Sequence, residues 1–332
     1  MRLVARLALV IAFLGGGWYS EADPPDANWL KLTSANFELY TTASETSGRE
    51  LIRHFEQIRR VLQPALGWQG PESKRAVLIA FRSSTEFRPY APNDCASGFY
   101  LPGSGHDFIV MASASREDRT AAHEYGHLIL SHIGWHLPAW LDEGLAELYS
   151  DSDFSGAKRQ ISVGQFIPGR VATLHQDGWI RLDELLPANP SSELFSSPAF
   201  ARSSYAECWL LAHMLALDPR YAPRFGDLVA ALRNSDALAA FATAYGKSLT
   251  DVERDLRAYL VEGQRNRRLV DTGSADCQGA IMVDRDAGFD ARLALAEMLR
   301  DYPGRRDQAR GAYQQLVRDY PRRMEEAAAT GR

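Results

Sequence analysis

Residues 37–42 alternate apolar and polar side chains, as a half-buried strand requires. Just downstream, Leu51, Phe55, Ile58 and Leu62 recur at three- and four-residue steps, which predicts a helix laying one apolar face on a sheet. A second strand is expected over residues 76–81 and a helical turn over 83–88. Gly98–Leu101 and Phe108–Met111 read as two further strands. The run Pro102, Gly103, Ser104, Gly105 between them is turn chemistry, so the pair is expected to form a hairpin.

From residue 116 the period becomes helical. Helices are expected over 119–131 and 138–149, the second with Pro138 near its start, where a missing N–H costs no hydrogen bond. A loop-rich middle, 151–201, carries Gly164, Pro168, Gly169, Pro187 and Pro190. Helices resume over 203–217, 225–232, 237–245 and 249–260. Strands first and helices afterwards point to an α+β fold.

Residues 263–279, rich in Arg, Asn, Asp, Gly and Ser, are expected to link a main domain, 23–262, to a C-terminal segment, 280–332. In that segment Leu299, Arg300, Asp301, Tyr302, Pro303 recurs as Val317, Arg318, Asp319, Tyr320, Pro321, an offset of 18 residues. One helix plus a turn has that length, as in a helical hairpin of tetratricopeptide (TPR) type, although two ordinary helices with a shared ending fit as well. A single hairpin is too small to stand alone, so it is expected to pack on the main domain and to offer a surface to a protein partner.

Composition narrows the function. The chain has 332 residues, 45% of them hydrophobic, enough for a sizeable core. A formal net charge of -5 gives no electrostatic footprint for nucleic acid, despite the local run Arg265, Arg267, Arg268. Arg2 and Arg6 flank an apolar run, 7–14, that ends in three glycines. The run is shorter than the roughly 20 residues that span a bilayer, and Ser20 and Ala22 suit signal peptidase. A signal peptide over 1–22 is therefore expected, with a periplasmic or secreted product and no lasting membrane span; an uncleaved anchor is the alternative. Cys95, Cys208 and Cys277 allow at most one disulfide, and their wide spacing argues against a cysteine-based zinc site.

The chemistry is concentrated in His123, Glu124, Tyr125, Gly126, His127, an HExxH pattern on an expected helix. Histidines four apart project from one helix face and can share one Zn2+. Glu124, beside that metal, is suited to take a proton from a water on it. A catalytic zinc site has three protein ligands and one open position, so a third ligand must come from elsewhere. A histidine six residues after His127 would serve, but that position is Ile133. The next helix offers Glu143 and Glu147, four apart on one face, one as ligand and the other as outer acceptor for a histidine N–H.

The HExxH pattern followed by Pro138, Ala139, Trp140, Leu141, Asp142, Glu143, Gly144, Leu145, Ala146, Glu147 resembles the gluzincin zinc metallopeptidases, in particular bacterial families with a short connection between the two helices. The resemblance spans about residues 37–221 and implies that Glu143, in its Trp-Leu-x-Glu-Gly setting, is the third ligand. Glu147 with Asp151 would instead imitate the thermolysin-like spacing. It further implies an oxyanion donor on a later helix, which maps onto Tyr205 in the segment 203–215; a tyrosine at an amphipathic helix start reads equally as packing. In such enzymes a strand placed like Gly98–Leu101 presents its edge to an extended peptide, while a core hairpin is the alternative. No acidic residue over 96–101 would capture a free amine, which favours an endopeptidase over an aminopeptidase. His106, His132 and His136 are expected to be solvated and His213 to be a core or surface residue. The expected activity is peptide-bond hydrolysis with Zn2+ as cofactor and a peptide or protein as substrate. A catalytically silent domain of the same kind, binding a peptide or protein, is the alternative.

Overall fold

A computed structural model describes residues 28–66, 76–94, 96–115, 119–132, 136–152, 154, 160–271 and 279–329. The expected signal peptide, Cys95 and Cys277 lie outside the described residues. In chain order the elements begin with β1 (Leu30–Thr33), β2 (Phe37–Thr41), α1 (Glu45–Ala65), β3 (Ala76–Ala80), α2 (Ser84–Phe87), β4 (Gly98–Leu101) and β5 (Phe108–Met111). They continue with α3 (Thr120–Ser131), α4 (Ala139–Ser150), β6 (Gln160–Val163), α5 (Pro168–Gln176), α6 (Leu182–Leu185), α7 (Glu193–Ser196) and α8 (Ala201–Leu217). The rest are α9 (Phe225–Leu232), α10 (Ala237–Tyr245), α11 (Leu249–Glu262), β7 (Arg268–Asp271), β8 (Met282–Asp284), α12 (Gly288–Asp301), α13 (Arg306–Asp319) and α14 (Pro321–Ala329). Sheet and helix are mixed as an α+β fold requires.

The chain divides into two compact units, one from residues up to Glu56 with Gly70–Ala121 and Asp276 onward, the other from Gln57–Gln69 and Ala122–Ala275. The first unit holds a six-stranded mixed sheet in the order β4-β5-β3-β2-β1-β8. β2, β3 and β5 are parallel, and β4 pairs antiparallel with β5 as the expected hairpin. β3 is buried along its whole length because both faces of the sheet are covered. On one face Phe55 of α1 meets Phe37, with ring centroids 5.5 Å apart. On the other, Val77, Ile79 and Phe81 pack with Ala291, Ala294, Leu295 and Met298 of α12. Fully burying side chains such as Ile79 and Phe81 is worth about 1.5–3 kcal/mol each, so α12 is a structural layer of this unit.

The C-terminal segment thus contributes an edge strand, β8, and a covering helix. Arg268–Asp271, inside the stretch expected as a linker, is strand β7, paired antiparallel with β6. Both copies of the Arg-Asp-Tyr-Pro ending close a helix: α12 stops at Asp301 and α13 at Asp319, each one residue before its tyrosine. A proline directly after the capping residue cannot continue a helix. Asp301 also receives the Ser104 backbone N–H at 2.9 Å, tying the hairpin to the β4–β5 turn.

The second unit is mainly helical. α8 is buried nearly end to end, with apolar side chains around its circumference, and packs on α4, α5, α7 and α11. The middle segment read as loop-rich contains β6 and three helices. Pro168 opens α5 at its first position, where its fixed φ favours a helix start. Among the described residues no helix is long and apolar enough to cross a membrane.

Candidate metal centre

α3 and α4 build the site within the second unit. His123 and His127 leave α3 on one face, with ring centroids 4.7 Å apart and planes nearly perpendicular. Their Nε2 atoms face each other at 3.1 Å. From α4, Oε2 of Glu143 lies 3.4 Å from His123 Nε2 and 3.5 Å from His127 Nε2.

Small residues allow this approach. A Cβ added at Gly126 would lie 3.3 Å from the Ala146 Cα, so α3 can come close to α4 at that point. On α4's other side, a Cβ at Gly144 would fall 2.4 Å from the Cys208 carbonyl oxygen and 2.9 Å from the Ala212 Cβ of α8. The approach at Gly144 is close enough to require glycine. α4 is thereby held between α3 and α8, and Glu143, beside Gly144, is held with it.

The three donor atoms form a nearly equilateral triangle. Ligands bound to one zinc ion at about 2.0–2.1 Å in tetrahedral directions stand about 3.3–3.4 Å apart, close to the spacings seen. Oε2 of Glu143 is buried and has no hydrogen-bond partner. His127 Nδ1 lies 3.1 Å from Oδ2 of Asp142, which assigns its proton to Nδ1 and leaves a lone pair on Nε2. His123 Nδ1 faces Oε1 of Glu147 at 3.5 Å and has no hydrogen bond of its own. Two imidazole lone pairs and a carboxylate oxygen converging in a buried spot repel one another unless a cation or protons stand between them. Two imidazoles with one carboxylate is a donor set that suits zinc.

Without a metal, protons take that place. Burial pushes the Glu143 carboxyl up, yet the flanking His127 and His123 bring it down to about 2. Burial pushes His127 down, and Asp142 and Glu143 together raise it well above the usual imidazole range. His123 is also raised against its burial, by Glu143 and then by the charges of Glu124 and Glu147.

The remaining expected residues gather round this cluster. Glu124 is 8% exposed, and its charge acts on both His123 and Tyr205. The Tyr205 ring, on α8, lies 6.5 Å from the His123 ring and 6.0 Å from that of Phe195. Burial, then the charges of Glu143 and Glu124, push its phenol well above the usual range, so its hydroxyl keeps its proton. Glu147, 5% exposed, stands behind His123 and is gripped by Arg170 of α5, whose Nε meets Oε2 at 3.1 Å and whose Nη2 meets Oε1. The same guanidinium lies 5.7 Å from the Tyr205 ring centroid.

Asp142 and Arg170 were not singled out by sequence reasoning. Asp142 had a signal, standing directly before Glu143 at the start of α4; Arg170 had none, because its helix lies in the segment read as loops. His106, His132 and His136 are outside the three-residue cluster that could hold a metal among the described residues. His213 is a core residue: Nε2 donates to the Gly164 carbonyl at 2.9 Å, Nδ1 accepts from the Tyr259 hydroxyl at 2.8 Å, and burial pushes it down to about 4. Cys208 is a free, buried thiol. No protein-family model matches the chain, and no curated protein matches it significantly. The functional reading therefore rests on the chemistry of these residues.

Proposed function

We propose that this chain is an exported zinc-dependent metallopeptidase of gluzincin type, with His123, His127 and Glu143 as the metal ligands. The observation that carries the reading is the convergence of two imidazole Nε2 atoms and an unpartnered, buried carboxylate oxygen at 3.1–3.5 Å. Zn2+ held there would supply Lewis acidity and a water that ionises near pH 7.

The chain's own groups then account for the proton transfers. The Glu124 carboxylate takes the proton of the attacking water as its oxygen bonds to the carbonyl carbon, and passes it to the amine nitrogen when the C–N bond breaks. The Tyr205 hydroxyl donates a hydrogen bond to the carbonyl oxygen as negative charge develops there. Asp142 holds the His127 imidazole by its outer nitrogen, and Glu147 faces that of His123 at 3.5 Å. An endopeptidase is the favoured form, and α12 with α13 is read as a TPR-like hairpin.

Metal content and peptide cleavage of wild type and Glu124→Gln test the proposal. One zinc equivalent is expected in both, with cleavage in the variant lower by about 100-fold or more. Full cleavage by Glu124→Gln removes the proposed base. One bound zinc with no cleavage of a broad peptide library by wild type replaces the enzyme with a peptide-binding module.

A further inference from the structure

Two glutamates of α4 stand within reach of His123, yet the site needs one carboxylate ligand. Their surroundings differ. Glu143, 2% exposed, pairs only with His123 and His127 among the described residues and leaves Oε2 without a hydrogen bond. Both oxygens of Glu147 are occupied by the Arg170 fork, Nε on Oε2 and Nη2 on Oε1. A two-pronged guanidinium–carboxylate pair fixes orientation as well as charge. The oxygen bonded to Nη2 is also the one facing His123 Nδ1 at 3.5 Å.

We infer that Arg170 is a positioning residue that assigns the two glutamates their roles, holding Glu147 out of the metal's ligand set and against the outer nitrogen of His123. This rests on the zinc reading above. Arg170 neutralises Glu147 from α5 and sets which oxygen faces the imidazole. Its guanidinium beside the Tyr205 ring joins the expected oxyanion donor to the same support. Removing the guanidinium takes both of its hydrogen bonds and its positive charge from the buried Glu147 carboxylate, which can then turn toward the cation, while His123 loses its orientation.

The test uses the full chain with Zn2+ and Co2+, titrated against a chromophoric chelator, and the visible absorption of the cobalt form. Arg170→Met is expected to weaken zinc binding by about 10- to 100-fold and to alter the cobalt spectrum. Arg170→Lys recovers only part, since an ammonium cannot span both carboxylate oxygens. In a Glu147→Gln background, Arg170→Met should change affinity by less than about two-fold, because Arg170 acts through Glu147. A merely structural role would lower thermal stability and leave the cobalt spectrum unchanged. Wild-type affinity and spectrum in Arg170→Met, or an undiminished loss in the Glu147→Gln background, overturn the inference alone. A wild type that binds neither ion overturns the metal reading as well.

Discussion

Gly144→Ala probes the packing that presents Glu143. The added Cβ would sit 2.4 Å from a backbone oxygen of α8, where ordinary contacts begin at 3.4 Å, so α4 and α8 must part by about 1 Å. Trp140, Leu141 and Leu145 on α4 and Trp209, Leu211 and Ala212 on α8 are all buried. A gap of up to 1 Å forfeits about a quarter to a half of each dispersion contact. Overpacking costs about 1–3 kcal/mol, and a clash with backbone falls at the upper end. Alanine's helix preference returns at most about 1 kcal/mol, leaving a net loss of about 2 kcal/mol or more. That corresponds to about 4–8 °C in the melting temperature. Gly126→Ala, whose Cβ meets Ala146 Cα at 3.3 Å, should be near neutral in stability. Gly311→Ala in α13, where a Cβ meets nothing within 4 Å, should stabilise by about 0.5–1 kcal/mol. Thermal and urea unfolding of the metal-free proteins, followed by circular dichroism, measures all three. A Gly144→Ala protein within about 1 kcal/mol of wild type, or one more stable than Gly311→Ala, refutes the close-crossing argument.

Two other variants test different parts of the molecule. Glu207 is buried on α8, accepts the Ile180 N–H at 2.8 Å and is pushed by burial up to about 7. The folded state keeps this proton from about pH 4.5 to 7 while the unfolded chain releases it, so stability falls as pH rises through that window. Glu207→Gln keeps an acceptor for Ile180 and should gain about 3 kcal/mol over wild type between pH 4 and pH 8. A pH-independent difference in urea denaturation contradicts this. Asp142→Ala removes the acceptor of His127 Nδ1 and should weaken zinc binding by about 10- to 100-fold. Unchanged affinity in a chelator competition would show that Asp142 does not orient the ring.

The elements that could be read from the chain are those with a complete local period. The hairpin of β4 and β5 has two apolar runs and a Gly-rich turn between them, and α3 and α4 carry more than two helical turns of pattern. β1 and β8, four and three residues long, are too short to show alternation, and their pairing joins Leu32 to Val283 across most of the chain. α5 was hidden by Pro168 and Gly169, which mark a loop unless the proline is the first helical residue. Arg268–Asp271 reads as linker because it stands in a stretch rich in Arg, Asn, Asp, Gly and Ser, and only pairing with β6 makes it a strand.

The same division holds at the candidate metal centre. Histidines at 123 and 127 share a face in any α-helix, since a spacing of four residues is nearly one turn, and local geometry alone brings Glu124 beside them. Glu143 and Glu147 obey that same spacing, so periodicity cannot choose between them. The choice depends on distances across elements: α4 wedged between Gly126 and Cys208, Asp142 meeting His127, and Arg170 arriving from another helix to occupy Glu147. Those distances come from packing side chains far apart in the chain, which no local repeat encodes.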